Sequence, residues 1–138
     1  MLVIGNSMAR DAINMGLESG RLDAAHLSYV EDYACDALRP DDLTNARAAA
    51  LVIVSLIVHP GDERCAADLL TALRRAGLAQ AAVLGPRNFG YSNTAAMLLP
   101  PERHQTLRVR PLAEAREANA AARRAIPADA YIDVLALL

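Results

Sequence analysis

The chain has 138 residues, of which 54% are hydrophobic, 22% charged and 4% aromatic, and its formal net charge is -2. That length and apolar content fit one compact domain, residues 1–138, and exclude two ordinary ones. With 14 basic against 16 acidic residues there is no general field for nucleic acid or an anionic membrane. With one Phe and no Trp, the core has to come from Ala, Val, Leu and Ile packed in regular elements.

In chain order, residues 2–4 (Leu2, Val3, Ile4) read as a short buried strand cut off at Gly5 and Asn6. Residues 7–17 place Met8, Ala12, Ile13 and Met15 at helical spacing, with Ser7 as the expected N-cap and Gly16 and Gly20 as stops. A second strand is expected within residues 25–35, around Leu27, Tyr29 and Val30. The apolar stretch over residues 49–58 describes a central strand buried on both sides, as parallel sheets require. It meets His59 and Pro60 well short of the roughly 20 residues that cross a bilayer, so no membrane span is expected. Cys65, Leu69, Leu70 and Leu73 define one face of a helix that Gly77 closes, and residues 81–84 form another short strand ending at Gly85-Pro86. Residues 87–108, with Pro100-Pro101, read as a long excursion containing one helical turn near residues 94–98. Pro111 opens a last helix that Pro127 stops, and residues 131–138 read as a final strand.

Strands alternating with helices imply βαβ units, right-handed crossovers and a mostly parallel sheet covered on both faces. The expected fold class is therefore α/β, a three-layer α/β/α sandwich with a flavodoxin-like sheet. Ligands in such folds sit beyond the carboxyl ends of the strands. Three loops leave that edge: Gly5-Asn6-Ser7, Val58-His59-Pro60-Gly61, and Gly85-Pro86-Arg87-Asn88-Phe89-Gly90.

Ser7, at a strand end and a helix start, meets free backbone N–H groups and the positive end of the helix dipole, which suits a nucleophile and an oxyanion. The plainer reading is a helix cap. Asn88 offers an amide donor for an oxyanion, or an Asx turn; Arg87 can meet an anionic substrate or simply face solvent. His59 is the imidazole at the productive edge and a candidate general base, against the alternative of an exposed turn residue. Cys35 and Cys65, thirty positions apart without ligand-spaced neighbours, signal neither a zinc site nor a redox pair and read as small buried hydrophobes, with one disulfide as the alternative. No metal or cofactor is expected, and no dinucleotide or P-loop glycine motif is present.

The block Leu2-Val-Ile-Gly-Asn-Ser-Met-Ala-Arg-Asp11 resembles the nucleophile block of the SGNH/GDSL hydrolase superfamily, and especially of the SGNH-type domains of polysaccharide O-acyltransferases. The loop from Gly85 to Gly90 resembles the block carrying the oxyanion Asn, and Tyr131-Ile-Asp-Val-Leu-Ala-Leu-Leu138 is similar to the strand that precedes the family's Asp-x-x-His block, so the likeness spans nearly the whole chain. The resemblance implies Ser7 as an acyl-accepting nucleophile, the Ser7 amide and Asn88 side chain as oxyanion donors, and Ser55 in the region of the family's further donor. Asn6 and Arg87 would border the substrate. Asn6 stands where the family has Asp, and no Asp-x-x-His occurs in this chain, which is read as C-terminally incomplete. His59 is the substitute base. The activity implied is a serine esterase or O-acyltransferase acting on acyl, chiefly acetyl, esters of carbohydrate, in a bacterial setting. The partner is a small acyl ester or a polysaccharide. The alternative is a non-catalytic glycan-binding or interaction module that has lost its base; a flavodoxin-like nucleotide-binding domain is a third and weaker reading. Residues 1–5 show no secretory signal, so the expected location is cytoplasmic as given and periplasmic or extracellular for a fragment.

Overall fold

A computed structural model of the chain describes residues 1–31, 40–86 and 112–137. Five strands form one sheet in the order β2-β1-β3-β4-β5: β1 Leu2–Gly5, β2 Ser28–Glu31, β3 Val52–Ser55, β4 Ala81–Leu84 and β5 Tyr131–Ile132. Every pairing is parallel. Among the described residues four α-helices accompany them: α1 Ser7–Glu18, α2 Pro40–Ala48, α3 Asp62–Arg75 and α4 Leu112–Ala125. This is the expected α/β class, a doubly wound sheet of flavodoxin-like strand order with helices on both faces.

The register explains how the sheet divides its side chains. Leu2 lies beside Ser28 and Val52, and Val52 beside Ala81, so alternate residues share a face. Leu2, Ile4, Val52, Val54, Ala81 and Val83 form one face, buried in a single cluster with Leu69, Leu70 and Leu73 of α3 and Ala118 and Ala122 of α4. Small alanines on α4 let it approach α3 closely, which is how a core with so few aromatics reaches full burial. The opposite face carries Val3, Gly5 and Ile53, and there α1 packs against β1 and β2.

Four expectations change. Helix α2 replaces what the sequence left without an element; its Pro40 start suits a first helical position, but Ala46 is the one fully buried residue among its described side chains. The apolar stretch over residues 49–58 contributes only Val52–Ser55 to the sheet, although Leu56 and Ile57 remain buried beyond it. The last strand is two residues long, because Asp133 turns out of the sheet and accepts the Ala136 N–H at 3.0 Å, after which residues Leu135–Leu137 form a 3-10 turn. Cys65 is no plain apolar side chain: it is disulfide-bonded. Cys35 and the excursion over residues 87–108 lie outside the described residues.

Candidate functional site

Strand order places a switch point between β1 and β3. The chain leaves β1 through α1 toward β2 and leaves β3 through α3 toward β4, so the loops after these neighbouring strands diverge and open a crevice at the carboxyl edge. Asn6-Ser7 follows β1 and Leu56 follows β3, on the two sides of that crevice. Gly5 makes the junction possible. A Cβ at this position would run into the Ala9 Cβ and approach the Ser55 carbonyl oxygen at 3.2 Å, so only glycine lets α1 rise this close beside β3.

Asn6, not Ser7, caps the helix. Its backbone is extended (φ -93°), and its Oδ1 accepts the N–H of Met8 at 3.1 Å and of Ala9 at 3.3 Å. The cap reading of Ser7 is therefore corrected. Both residue types cap well, and the start of the α-helix at Ser7 decides which one does. Asn6 Nδ2 also donates across the crevice to the Leu56 carbonyl at 3.4 Å. Its side chain thus serves the backbone on both sides, which is how the structure places the residue that the sequence set beside substrate.

Ser7 is left half-buried as the first residue of α1. Among the described residues, neither its N–H nor its Oγ has a hydrogen-bond partner. A backbone N–H at this point has no intrahelical acceptor by construction, and it stands at the positive end of the helix dipole. An electrophile docked in the crevice would meet a hydroxyl and an N–H from the same residue. Ser55 closes β3 beside Gly5 and is buried at 7% exposure.

His59 lies at the same edge, with its ring engaged elsewhere. Asp62 Oδ2 accepts the backbone N–H groups of Val58 at 2.8 Å and His59 at 2.7 Å, while His59 Nδ1 pairs with Glu114 Oε1 of α4 at 2.7 Å. The histidine is thus tethered at its backbone by Asp62 and at Nδ1 by Glu114. Arg87 and Asn88 lie outside the described residues.

Tyr29, Arg10 and Glu114, none of them assigned a site role from the sequence, hold the edge together. Tyr29 of β2 donates its hydroxyl to the Asn6 carbonyl at 2.8 Å, with the Gly5 carbonyl at 3.2 Å, and Arg10 of α1 pairs with Glu31 at the end of β2 at 3.1 Å. Glu114 is the other missed partner. These contacts span 21 to 55 residues of sequence, and no local pattern signals them.

A second polar cluster sits at the β4–β5 corner. Tyr131 donates to Asn119 Oδ1, Asn119 Nδ2 donates to Asp133, and Arg123 donates to Asp133 through two nitrogens. Burial, and then the Asp133 charge, push the Tyr131 hydroxyl up to about 12 against the opposing pull of Arg123. Burial works to raise Asp133 as well, but the hydrogen bonds from Asn119, the Ala136 N–H and Arg123, with the Arg123 charge, outweigh it and hold the carboxyl below its usual range. A Cβ on Gly85 would collide with the Tyr131 hydroxyl, so the end of β4 is molded around this cluster.

Among the described residues no group of His, Cys, Asp and Glu could hold a metal ion, and no helix is long and apolar enough to cross a membrane. Fold and edge together define a doubly wound parallel α/β domain with a serine at its switch point. Comparison with protein-family models, curated proteins and solved structures finds no match for this chain.

Proposed function

We propose that the chain is an SGNH-like serine esterase or O-acyltransferase domain acting on acyl, chiefly acetyl, esters of carbohydrate, with Ser7 as the nucleophile. One observation carries this reading: at the switch point the capping work is done by Asn6, and both the hydroxyl and the N–H of Ser7 stand without a partner among the described residues. In the reaction Ser7 Oγ loses its proton to a base and bonds to the acyl carbon. The carbonyl oxygen becomes an oxyanion held by the Ser7 N–H, and by the Asn88 amide if the family likeness holds there. The alkoxide leaves with a proton. Water or a carbohydrate hydroxyl then takes the acyl group from Ser7 by the reverse sequence. His59 is the proposed base, with the Glu114 carboxylate at Nδ1 orienting the ring and Nε2 as the nitrogen that would take the serine proton. Arg87 and Ser55 are proposed to border the substrate. The disulfide at Cys65 supports an oxidising compartment, periplasmic or extracellular, for the working protein.

Asn6, standing where the resembled family has Asp and bonded to backbone on both sides of the crevice, favours a second reading, a glycan-binding or interaction module that has the fold and no working base. Intact mass after treatment with a fluorophosphonate separates the two. A single adduct on the wild-type chain, lost in Ser7→Ala, is the expected result. A wild-type chain that takes no adduct would overturn the enzyme reading and send the protein to glycan-binding assays.

A further inference from the structure

The carbonyl of Asn6 and the N–H of Ser7 are the two ends of one peptide group. That carbonyl is crowded with donors: it accepts the N–H of Ala9 at 2.9 Å, the N–H of Arg10 at 3.1 Å and the hydroxyl of Tyr29 at 2.8 Å. The first two bonds belong to any well-capped helix. The third does not, because it comes from a different strand, 23 residues along the chain. Tyr29 stands beside Val3 in the register of β1 and β2, on the face of the sheet that α1 covers. The Arg10–Glu31 pair fastens the first turn of α1 to the end of the same strand.

We propose that Tyr29 is a positioning residue for the Ser7 backbone N–H, acting through the Asn6–Ser7 peptide. A donor at the carbonyl end of an amide draws electron density from its nitrogen and makes the N–H at the other end a stronger donor, an effect of about 10–30% per bond. The N–H strengthened in this way has no partner among the described residues, so the polarisation is available to a ligand in the crevice. The hydroxyl also fixes the plane of the peptide, and with it the direction in which the Ser7 N–H points. Tyr29 touches neither the acyl group nor the serine side chain. This inference rests on the serine-hydrolase reading, in which that N–H binds the oxyanion.

Tyr29→Phe tests it, since the ring and its packing remain and only the hydroxyl is lost. The expected result is a fall of about 3- to 10-fold in kcat for hydrolysis of p-nitrophenyl acetate and in the rate of fluorophosphonate labelling at Ser7, with KM nearly unchanged. The melting temperature should fall by no more than about 2–4 °C, the loss of one part-buried hydrogen bond. In two-dimensional NMR the Ser7 amide proton should move upfield while those of Leu69 and Leu73 in α3 stay in place. A Tyr29→Phe chain that labels at the wild-type rate with an unmoved Ser7 amide overturns the inference and leaves the hydrolase reading standing. A wild-type chain that is not labelled at Ser7 overturns the hydrolase reading, and this inference with it.

Discussion

At the β4–β5 corner the polar groups answer one another: Tyr131 to Asn119, Asn119 to Asp133, Asp133 to Arg123 and to the Ala136 N–H. At the β1–α1 turn Asn6 is equally engaged, yet the next residue keeps a hydroxyl and an N–H without a partner among the described residues. The two regions stand at the same edge of the same sheet and are built from the same kinds of side chain. What distinguishes them is the remainder after the internal hydrogen bonds have been counted. A closed network fixes the fold, whereas a group that the fold leaves over is available to a ligand.

That contrast can be broken by substitution, and the corner should yield the largest loss. Asp133→Ala removes the acceptor shared by Arg123 and Asn119, whose carboxylate is only 14% exposed, and should cost about 2–3 kcal/mol in urea unfolding. Gly5→Ala drives a methyl into Ala9 at the turn, with an expected loss of about 2 kcal/mol and slower labelling of Ser7. Asn6→Ala removes the cap and should cost about 1 kcal/mol, while Asn6→Asp keeps both accepting bonds, exchanges the donation to Leu56 for a repulsion between two oxygens, and should cost less than the alanine. Ser7→Ala should be smallest, within about 0.5 kcal/mol, because no described residue bonds to that hydroxyl. A large stability loss in Ser7→Ala would erase the distinction between the two regions.

Acid and alkali sharpen the comparison from the other side. Asp133 titrates below its usual range in the fold, so its contribution is present above about pH 4 and is lost as pH falls through the folded value. Tyr131 is pushed up to about 12, so its contribution is full below about pH 10 and is lost as pH rises toward the folded value. Urea midpoints should therefore drop less steeply in acid for Asp133→Asn than for the wild type, and less steeply above pH 10 for Tyr131→Phe. Ser7→Ala should follow the wild-type profile at both ends.

Much of the framework was legible because it rests on composition over short spans. The apolar residues of β1, β3 and β4 and the Leu69, Leu70, Leu73 face of α3, closed by Gly77 at φ 87°, follow from burial and period alone. Helix α2 was not legible, since Pro40–Ala48 carries too few apolar residues to mark a face. The final strand was overestimated because Asp133 sits among apolar neighbours and turns the chain through contacts with Asn119 and Arg123 that no helix or strand period signals. At the candidate site the edge position of Ser7 could be read, and the choice of Asn6 as cap could not, because two adjacent residues offered the same chemistry. Tyr29 and Glu114 enter only when the sheet and the α3–α4 layer bring distant segments together.

The first strand in the chain is an interior strand of the sheet. Leu2 pairs with Ser28 on one side and with Val52 on the other, so a chain emerging from the ribosome holds β1 unpaired until residues well beyond it have been made. The turn that carries Ser7 hangs from this strand and is tied to both of its neighbours, through Tyr29 to β2 and through Leu56 to the loop after β3. Synthesis therefore delivers Ser7 before the segments that surround it, and the serine acquires its setting only when the middle of the sheet closes around it.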